Sequence, residues 1–377
     1  MIRLDHLAST PVHPEVMAAM RPWLEGGRHG NPSHLHQAGL EAAEVLRDAR
    51  AAVAALVGAE PEEVIFTSSG TEAANMALCG LAWKDNALPL AASRAEHPAV
   101  LETARFLQRQ GHPLHLIPVD GAGRIEPGRV AAVAGRGLLA VHAGNHDSGA
   151  LQDVEALARA AHAEDARVFC DASTSGGWIP LDMRRQEIDL LSLSPHRFFG
   201  PQGIGVLVVR RGLELEPLIH GGRQEGGRRA GTESVALAAG AAAACKLARQ
   251  HGADWARQAA ARRDRLWGQL RAAIPGIHLH GPEPGPERDP RHLAVGIEGV
   301  EGEALMLLLD LRGVAVTAAS GCLSGEEKYS SVLRSMGVPE PLVRGTILMS
   351  TSPGQPAAEM DQAASIIAQA VAKLRDL

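Results

Sequence analysis

Ser68-Ser-Gly-Thr-Glu72 follows a strand-like run, Glu63-Val-Ile-Phe-Thr67, and opens a helical pattern from Glu72 to Ala82. A helix N-terminus presents unbonded N–H groups and the positive end of the helix dipole, which suits a phosphate. Gly70 would let a ligand approach the backbone, and Thr71 adds a hydroxyl donor. The same residues also make an ordinary N-cap with Thr71 as the capping residue, so both readings stand at this point. Further polar residues fall where other strand-like runs end: His97 after Ala95-Glu96, Asn145 in Gly144-Asn-His-Asp147, Asp171 after Val168-Phe-Cys170, and Ser194-Pro-His-Arg197. Each alone reads as a cap or a loop residue. In an open α/β sheet, ligands bind beyond the carboxyl ends of the strands, so the series points to one shared site.

The elements that must position these residues alternate. Apolar residues recur at helical spacing over Glu41–Leu56, Glu72–Ala82 and Val154–Glu164. Strands are predicted at Leu138–Ala143, Arg167–Cys170, Leu190–Leu193 and Ile204–Val209. Alternation of this kind predicts a mostly parallel sheet covered on both faces. From Ser234 to Ile274 the pattern is long, helical and rich in Ala and Arg. A Pro/Gly loop follows at Gly281–Pro290, then shorter strands at His292–Ile297, Val314–Val316 and Thr346–Ser350, and a last helix at Glu359–Leu374.

Composition excludes several classes. The chain has 377 residues, a net charge of −6 and 3% aromatics, without a single-sign run, which disfavours nucleic acid as a partner. The longest apolar run, Val235–Ala244, is too short to span a membrane. The four cysteines (Cys79, Cys170, Cys245, Cys322) form no CxxC pair, so neither a disulfide framework nor a metal site is expected. Met1–Thr10 carries no apolar secretory segment, and a cytoplasmic protein is expected. Lysine is scarce, with four against 33 arginines.

Read in order, these segments resemble the cysteine desulfurases, a NifS-like branch of the class V aminotransferases among the fold-type-I pyridoxal phosphate (PLP) enzymes. The resemblance runs through Leu4-Asp-His-Leu-Ala-Ser-Thr-Pro-Val12, Gly30-Asn-Pro-Ser33, Phe66–Glu72, Glu96–Val100, Asn145–Asp153, Asp171, Ser194–Gly205, Gly221–Glu225, Arg229–Thr232, Ser320-Gly-Cys322 and Val332-Leu-Arg334. It implies a large α/β domain with a mostly parallel seven-stranded sheet between helices (residues 13–250). A smaller α+β domain would combine residues 1–12 with 251–377 and carry the Cys322 loop. It also implies roles. Gly70, Thr71, Ser194 and His196 would hold the phosphate, and Thr232 would reach a phosphate in a partner subunit, hence a homodimer. His97 would stack on the pyridine ring, Asp171 would pair with its nitrogen, and Asn145 would bond its hydroxyl. Cys322 would take sulfur from cysteine as a persulfide.

Three positions depart from the family. Arg197 stands where the family has its Schiff-base lysine, and a guanidinium, always protonated, cannot form that link or act as a base. Leu348, in Ile347-Leu-Met-Ser350, stands where an arginine binds the substrate carboxylate. Thr174 takes the place of a glutamine near the ring hydroxyl. The expectation is therefore a chain that has lost PLP-dependent desulfuration. Its pocket would be empty, with Arg197 ion-paired to Asp171, in preference to non-covalently held PLP or another phosphate ligand. Cys322 would serve a PLP-independent persulfide relay, or the chain would partner a sulfur acceptor or an iron–sulfur scaffold. Two alternatives stay open: an active PLP enzyme of altered substrate class, using Lys328 or no lysine, and a non-enzymatic phosphate-binding module.

Overall fold

The computed structural model describes residues 1–131, 135–319 and 329–376 of the chain. It opens on a short strand, β1 (Ile2–Arg3), followed by the helices Pro14–Leu24 and Gln37–Val57. Seven buried or half-buried runs of four or five residues then form the central sheet. They are β2 (Val64–Thr67), β3 (Leu90–Ser93), β4 (Leu114–Ile117), β5 (Leu138–His142), β6 (Arg167–Asp171), β7 (Leu190–Leu193) and β8 (Gly205–Val209). Their order across the sheet is β2-β8-β7-β6-β5-β3-β4.

The neighbours from β7 to β4 run parallel, while β8 is antiparallel to both β7 and β2. Chain length explains the exception. A parallel return needs a crossover of about a dozen residues or more, usually a helix. Only the short stretch 194–204 joins β7 to β8, so it must turn back on itself. The motif Ser194-Pro-His-Arg197 sits in that turn.

Strand residues alternate between two cores, as a period of two demands. Ile65, Leu190 and Leu207 pack with Gly70–Ala82 and Pro98–Arg109 on one face. Val64, Leu191, Val206 and Val208 pack on the other face, with Leu46, Val53 and Ala241. A second sheet carries β9 (Ile277–Leu279), β10 (His292–Ile297), β12 (Thr317–Ala318) and β13 (Thr346–Ser350), in the antiparallel order β12-β13-β10-β9. It packs against Gly302–Leu311, Ala357–Arg375 and the later turns of Val235–Ala273. That last helix is continuous over 39 residues, so position 250 falls inside it. β11 (Val314–Ala315) pairs in parallel with β1.

Among the described residues, no helix is long and apolar enough to cross a membrane. The mostly parallel seven-stranded sheet expected from the sequence is present, with a smaller antiparallel sheet beside it.

Candidate active site

The helix Gly70–Ala82 begins directly beyond β2, with Ser69 as its N-cap: the Ser69 hydroxyl accepts from the Glu72 N–H at 3.2 Å. Thr71 is thus inside the helix, not its cap. Three strand ends converge on this terminus. A Cβ placed on Gly70 would lie 2.4 Å from Ser173 Oγ and 2.5 Å from Ser194 Oγ, so only glycine fits between these hydroxyls. Helix N–H groups and two hydroxyls around one small space make an anion cradle. Glu72 braces it. One carboxylate oxygen accepts from Ser68 N at 2.7 Å and the other from Arg229 Nε at 2.8 Å.

Asp171 ends β6 and is buried. Ser192 Oγ donates to its Oδ1 at 2.6 Å, and Ser173 N donates to the same oxygen at 2.9 Å. Burial alone would raise this carboxyl's pKa. The two donors outweigh it and hold the pKa below the ordinary aspartate range, so the group is ionised. Both of these bonds fall on Oδ1.

His97 caps the helix Pro98–Arg109, its Nδ1 accepting from Ala99 N at 3.0 Å. Burial brings its pKa down to about 4, with His146 and Arg197 pushing the same way and Asp171 opposing. The ring is therefore neutral near pH 7, with its proton on Nε2. The His146 ring meets it edge to face, with centroids 5.1 Å apart.

These two histidines open onto a cavity of about 160 Å³ whose lining also includes Arg197, Asp147, Leu7, Ser330, Leu348 and Ser350. The cavity thus lies between the carboxyl ends of the large sheet and one end of β13. Arg197 Nη1 donates to Leu7 O at 2.8 Å. Among the described residues no ion pair joins Arg197 to Asp171, so the expected self-paired pocket is not formed. The physical reason is the N-terminal segment, whose carbonyl takes up a guanidinium N–H while Ser192 and Ser173 hold the carboxylate.

The backbone around Arg197 is fixed from behind. Its carbonyl accepts from Trp178 Nε1 at 2.8 Å and from Arg291 Nη1 at 3.2 Å. Arg291 is fully buried and ion-paired with Asp289 at 2.9 Å, and it donates to Thr174 O at 2.6 Å.

The sequence-predicted residues therefore divide. Gly70 and Ser194 meet at the cradle, Thr71 follows in the first helical turn, and Asp171, His97 and Arg197 lie around the adjoining space. His196, in the same turn as Arg197, has its pKa lowered to about 4 by burial and by Arg197. Asn145 is fully buried, its amide donating to Ala95 O at 2.8 Å and accepting from Asp147 N and Ser148 N. From this loop, His146 and Asp147 line the cavity. Thr174 is buried, its carbonyl held by Arg291, and Thr232 is exposed. Cys322 and Lys328 lie outside the described residues. The other three cysteines are buried, which raises their thiol pKa values, to about 11 for Cys79 and about 12 for Cys245.

Sequence reasoning missed Ser173, Ser192 and His146. Ser192 carried a signal, as a polar residue inside the apolar run Leu190–Leu193. Ser173 carried another, two residues after an aspartate that ends a strand.

Residues 2–347 match the class V aminotransferase family. The cysteine desulfurase IscS of Dictyoglomus turgidum is 34% identical over 380 residues, spanning 100% of this chain and 96% of that protein. The cysteine desulfurase of Cereibacter sphaeroides is 39% identical over 383 residues, spanning 100% and 97%. A solved NifS-like protein superposes with a TM-score of 0.92 at 30% identity over 99% of both chains. A structure titled SspA in complex with cysteine gives 0.81 at 28% identity over 94% of this chain and 100% of that one.

Loss of PLP-dependent desulfuration, expected from Arg197 and Leu348, is overturned by these full-length relatives, which are named for that activity. With it goes the reading as a relay or scaffold without enzymatic turnover. An empty pocket is overturned as well, because family and fold indicate PLP. The chain is a member of the class V aminotransferase family, with the PLP fold type I, and stands among the cysteine desulfurases.

Proposed function

We propose that this protein is a PLP-dependent enzyme that removes sulfur from cysteine or a close sulfur-bearing analogue. The observation that carries the reading is Asp171, buried and ionised, a carboxylate suited to a cationic donor such as a pyridinium nitrogen. The residues fit the cofactor. Gly70, Thr71, Ser194 and Ser173 would hold the phosphate, and neutral His97 would lie against the ring. When bound, PLP supplies a ring that draws electrons from bonds at the substrate's α carbon.

Arg197 has a different role here from that of the family's lysine. It places a fixed guanidinium in the cavity that Leu348 lines, so the cation for a substrate carboxylate comes from the turn after β7 instead of from β13. The SspA structure, bound to cysteine, favours the same substrate class for this chain. Cys322, by its place in the sequence, is the thiol that takes the sulfur as a persulfide while the carbon skeleton leaves as alanine. Exposed Thr232 suits a role across a homodimer interface, and a sulfur-acceptor protein would receive the persulfide.

The test is purified protein with added PLP and L-cysteine, followed by absorption and by alanine release. A visible band on PLP addition, with alanine formed in step with sulfide in the presence of a thiol reductant, is the expected result. Protein that stays colourless and yields no alanine would overturn the reading.

A further inference from the structure

A site of this kind needs a group that accepts and returns a proton at the substrate's α carbon. A guanidinium cannot, because it stays protonated. We propose that His146 is this proton-transfer residue. The inference rests on the function proposed above.

Among the described residues, the other titratable groups around the cavity are less suited. Asp5 and Asp147 are carboxylates already engaged, Asp5 accepting from Thr317 Oγ1 at 2.8 Å and Asp147 from Ser330 Oγ at 2.6 Å. His97 is capped, its Nδ1 lone pair directed at Ala99 N, so its remaining ring nitrogen carries a proton. His146 differs. Its backbone is clamped, with the His292 ring bonded to its carbonyl at 3.0 Å and the next N–H, that of Asp147, donating to Asn145 Oδ1 at 2.9 Å. Its ring projects against His97 and onto the cavity. Its Nε2 lies 3.8 Å from Asp147 Oδ1, and Asp147 is itself held by Ser330 Oγ at 2.6 Å. A positioned carboxylate beside an imidazole stabilises the imidazolium formed when the ring takes a proton.

The step balances simply. The α C–H bond breaks, its proton goes to an imidazole nitrogen of His146, and its electron pair stays on the substrate. The imidazolium gives a proton back to carbon before product leaves.

The experiment follows exchange of the α proton of L-alanine in deuterated buffer by NMR, using PLP-supplied wild type, His146→Ala and His146→Gln. General-base removal of this kind is worth about 100-fold or more. We expect a loss of that size in both variants, recovery of His146→Ala by added imidazole, and a PLP titration midpoint within about twofold of wild type. A second measurement uses cofactor-free protein: the ring resonances of His146, identified by their absence in His146→Gln, should shift in Asp147→Asn at constant pH. Exchange in either variant within threefold of wild type, or His146 ring resonances indifferent to Asp147, overturns the assignment. Wild type that neither exchanges alanine nor desulfurates cysteine overturns the proposed function together with it, so the two failures are distinguishable. Imidazole rescue reads only folded protein, so a misfolded variant cannot imitate the expected result.

Discussion

Arg197 and Leu348 line one cavity, and relative to the family pattern the guanidinium there comes from the turn after β7 in place of β13. If the guanidinium of Arg197 holds the substrate carboxylate, removing it should raise KM for cysteine far more than it lowers kcat. Arg197→Ala is expected to raise KM about tenfold or more, the worth of a charge-assisted contact. Adding Leu348→Arg to that variant should bring KM most of the way back, a coupling that steady-state kinetics on the four proteins of the cycle would measure. Independent, additive effects would refute the exchange. Asp171→Asn, which keeps the shape but not the charge, should weaken PLP binding by tenfold or more in an absorption titration. The sequence showed where these polar residues cluster but not which neighbour points inward. Asn145 and His146 are adjacent, and only the hydrogen bonds from Asp147 N and Ser148 N show that Asn145 is consumed by an Asx turn.

At the scale of elements, the turn between β7 and β8 depends on the N-terminal segment. Thr10 Oγ1 donates to His196 O at 2.9 Å and accepts from Phe199 N at 2.6 Å, while Thr10 N donates to His196 O at 2.8 Å. Phe199 has a φ of 67°, a backbone region that a bulky side chain rarely occupies, so the surrounding bonds must hold it there. Thr10→Val keeps the volume and removes both hydroxyl bonds. It should lower stability by about 1–3 kcal/mol in denaturant unfolding and weaken PLP binding as the turn loosens. No change in either quantity would show that the turn holds itself. Asp289→Ala would leave Arg291 buried without its counter-ion, at about 3–5 kcal/mol. Strands such as β8 and β13 were legible because their apolar runs are bounded and carry β-branched residues. β3 and β4 were not: Leu90-Ala-Ala-Ser93 lacks β-branched residues, and Leu114–Ile117 is a half-buried edge, so neither carries a clear period.

For the whole molecule, burial of neutral imidazoles sets the acid response. Burial lowers the pKa values of His6, His97, His196 and His280 to about 4, and that of His292 to about 3. An unfolded histidine takes its proton near pH 6.5. Between that value and 4 the unfolded chain binds more protons, so stability is complete above pH 6.5 and falls as the pH drops toward 4, by up to about 1.4 kcal/mol per pKa unit for each buried ring and by less for the half-buried His196, which solvent screens. Thermal unfolding from pH 7.5 to 4.5 should show a midpoint that declines ever more steeply below 6.5. A midpoint level across that range would contradict the assignment of these rings as buried and neutral.

The joining of β1 to β11, and of Leu4 and Leu7 to Ser350 by hydrogen bonds of 2.7 and 2.6 Å, has a consequence for biosynthesis. Residues 2–10 leave the ribosome hundreds of residues before their partners at 313–350 and wait without them. Contacts of such sequence separation form late and slowly. Leu4 and Leu7, whose carbonyl helps to fix the turn carrying Arg197, therefore reach their final places only after residues 313–350 have been made. Cofactor loading should accordingly be absent from ribosome-bound chains that stop before residue 313.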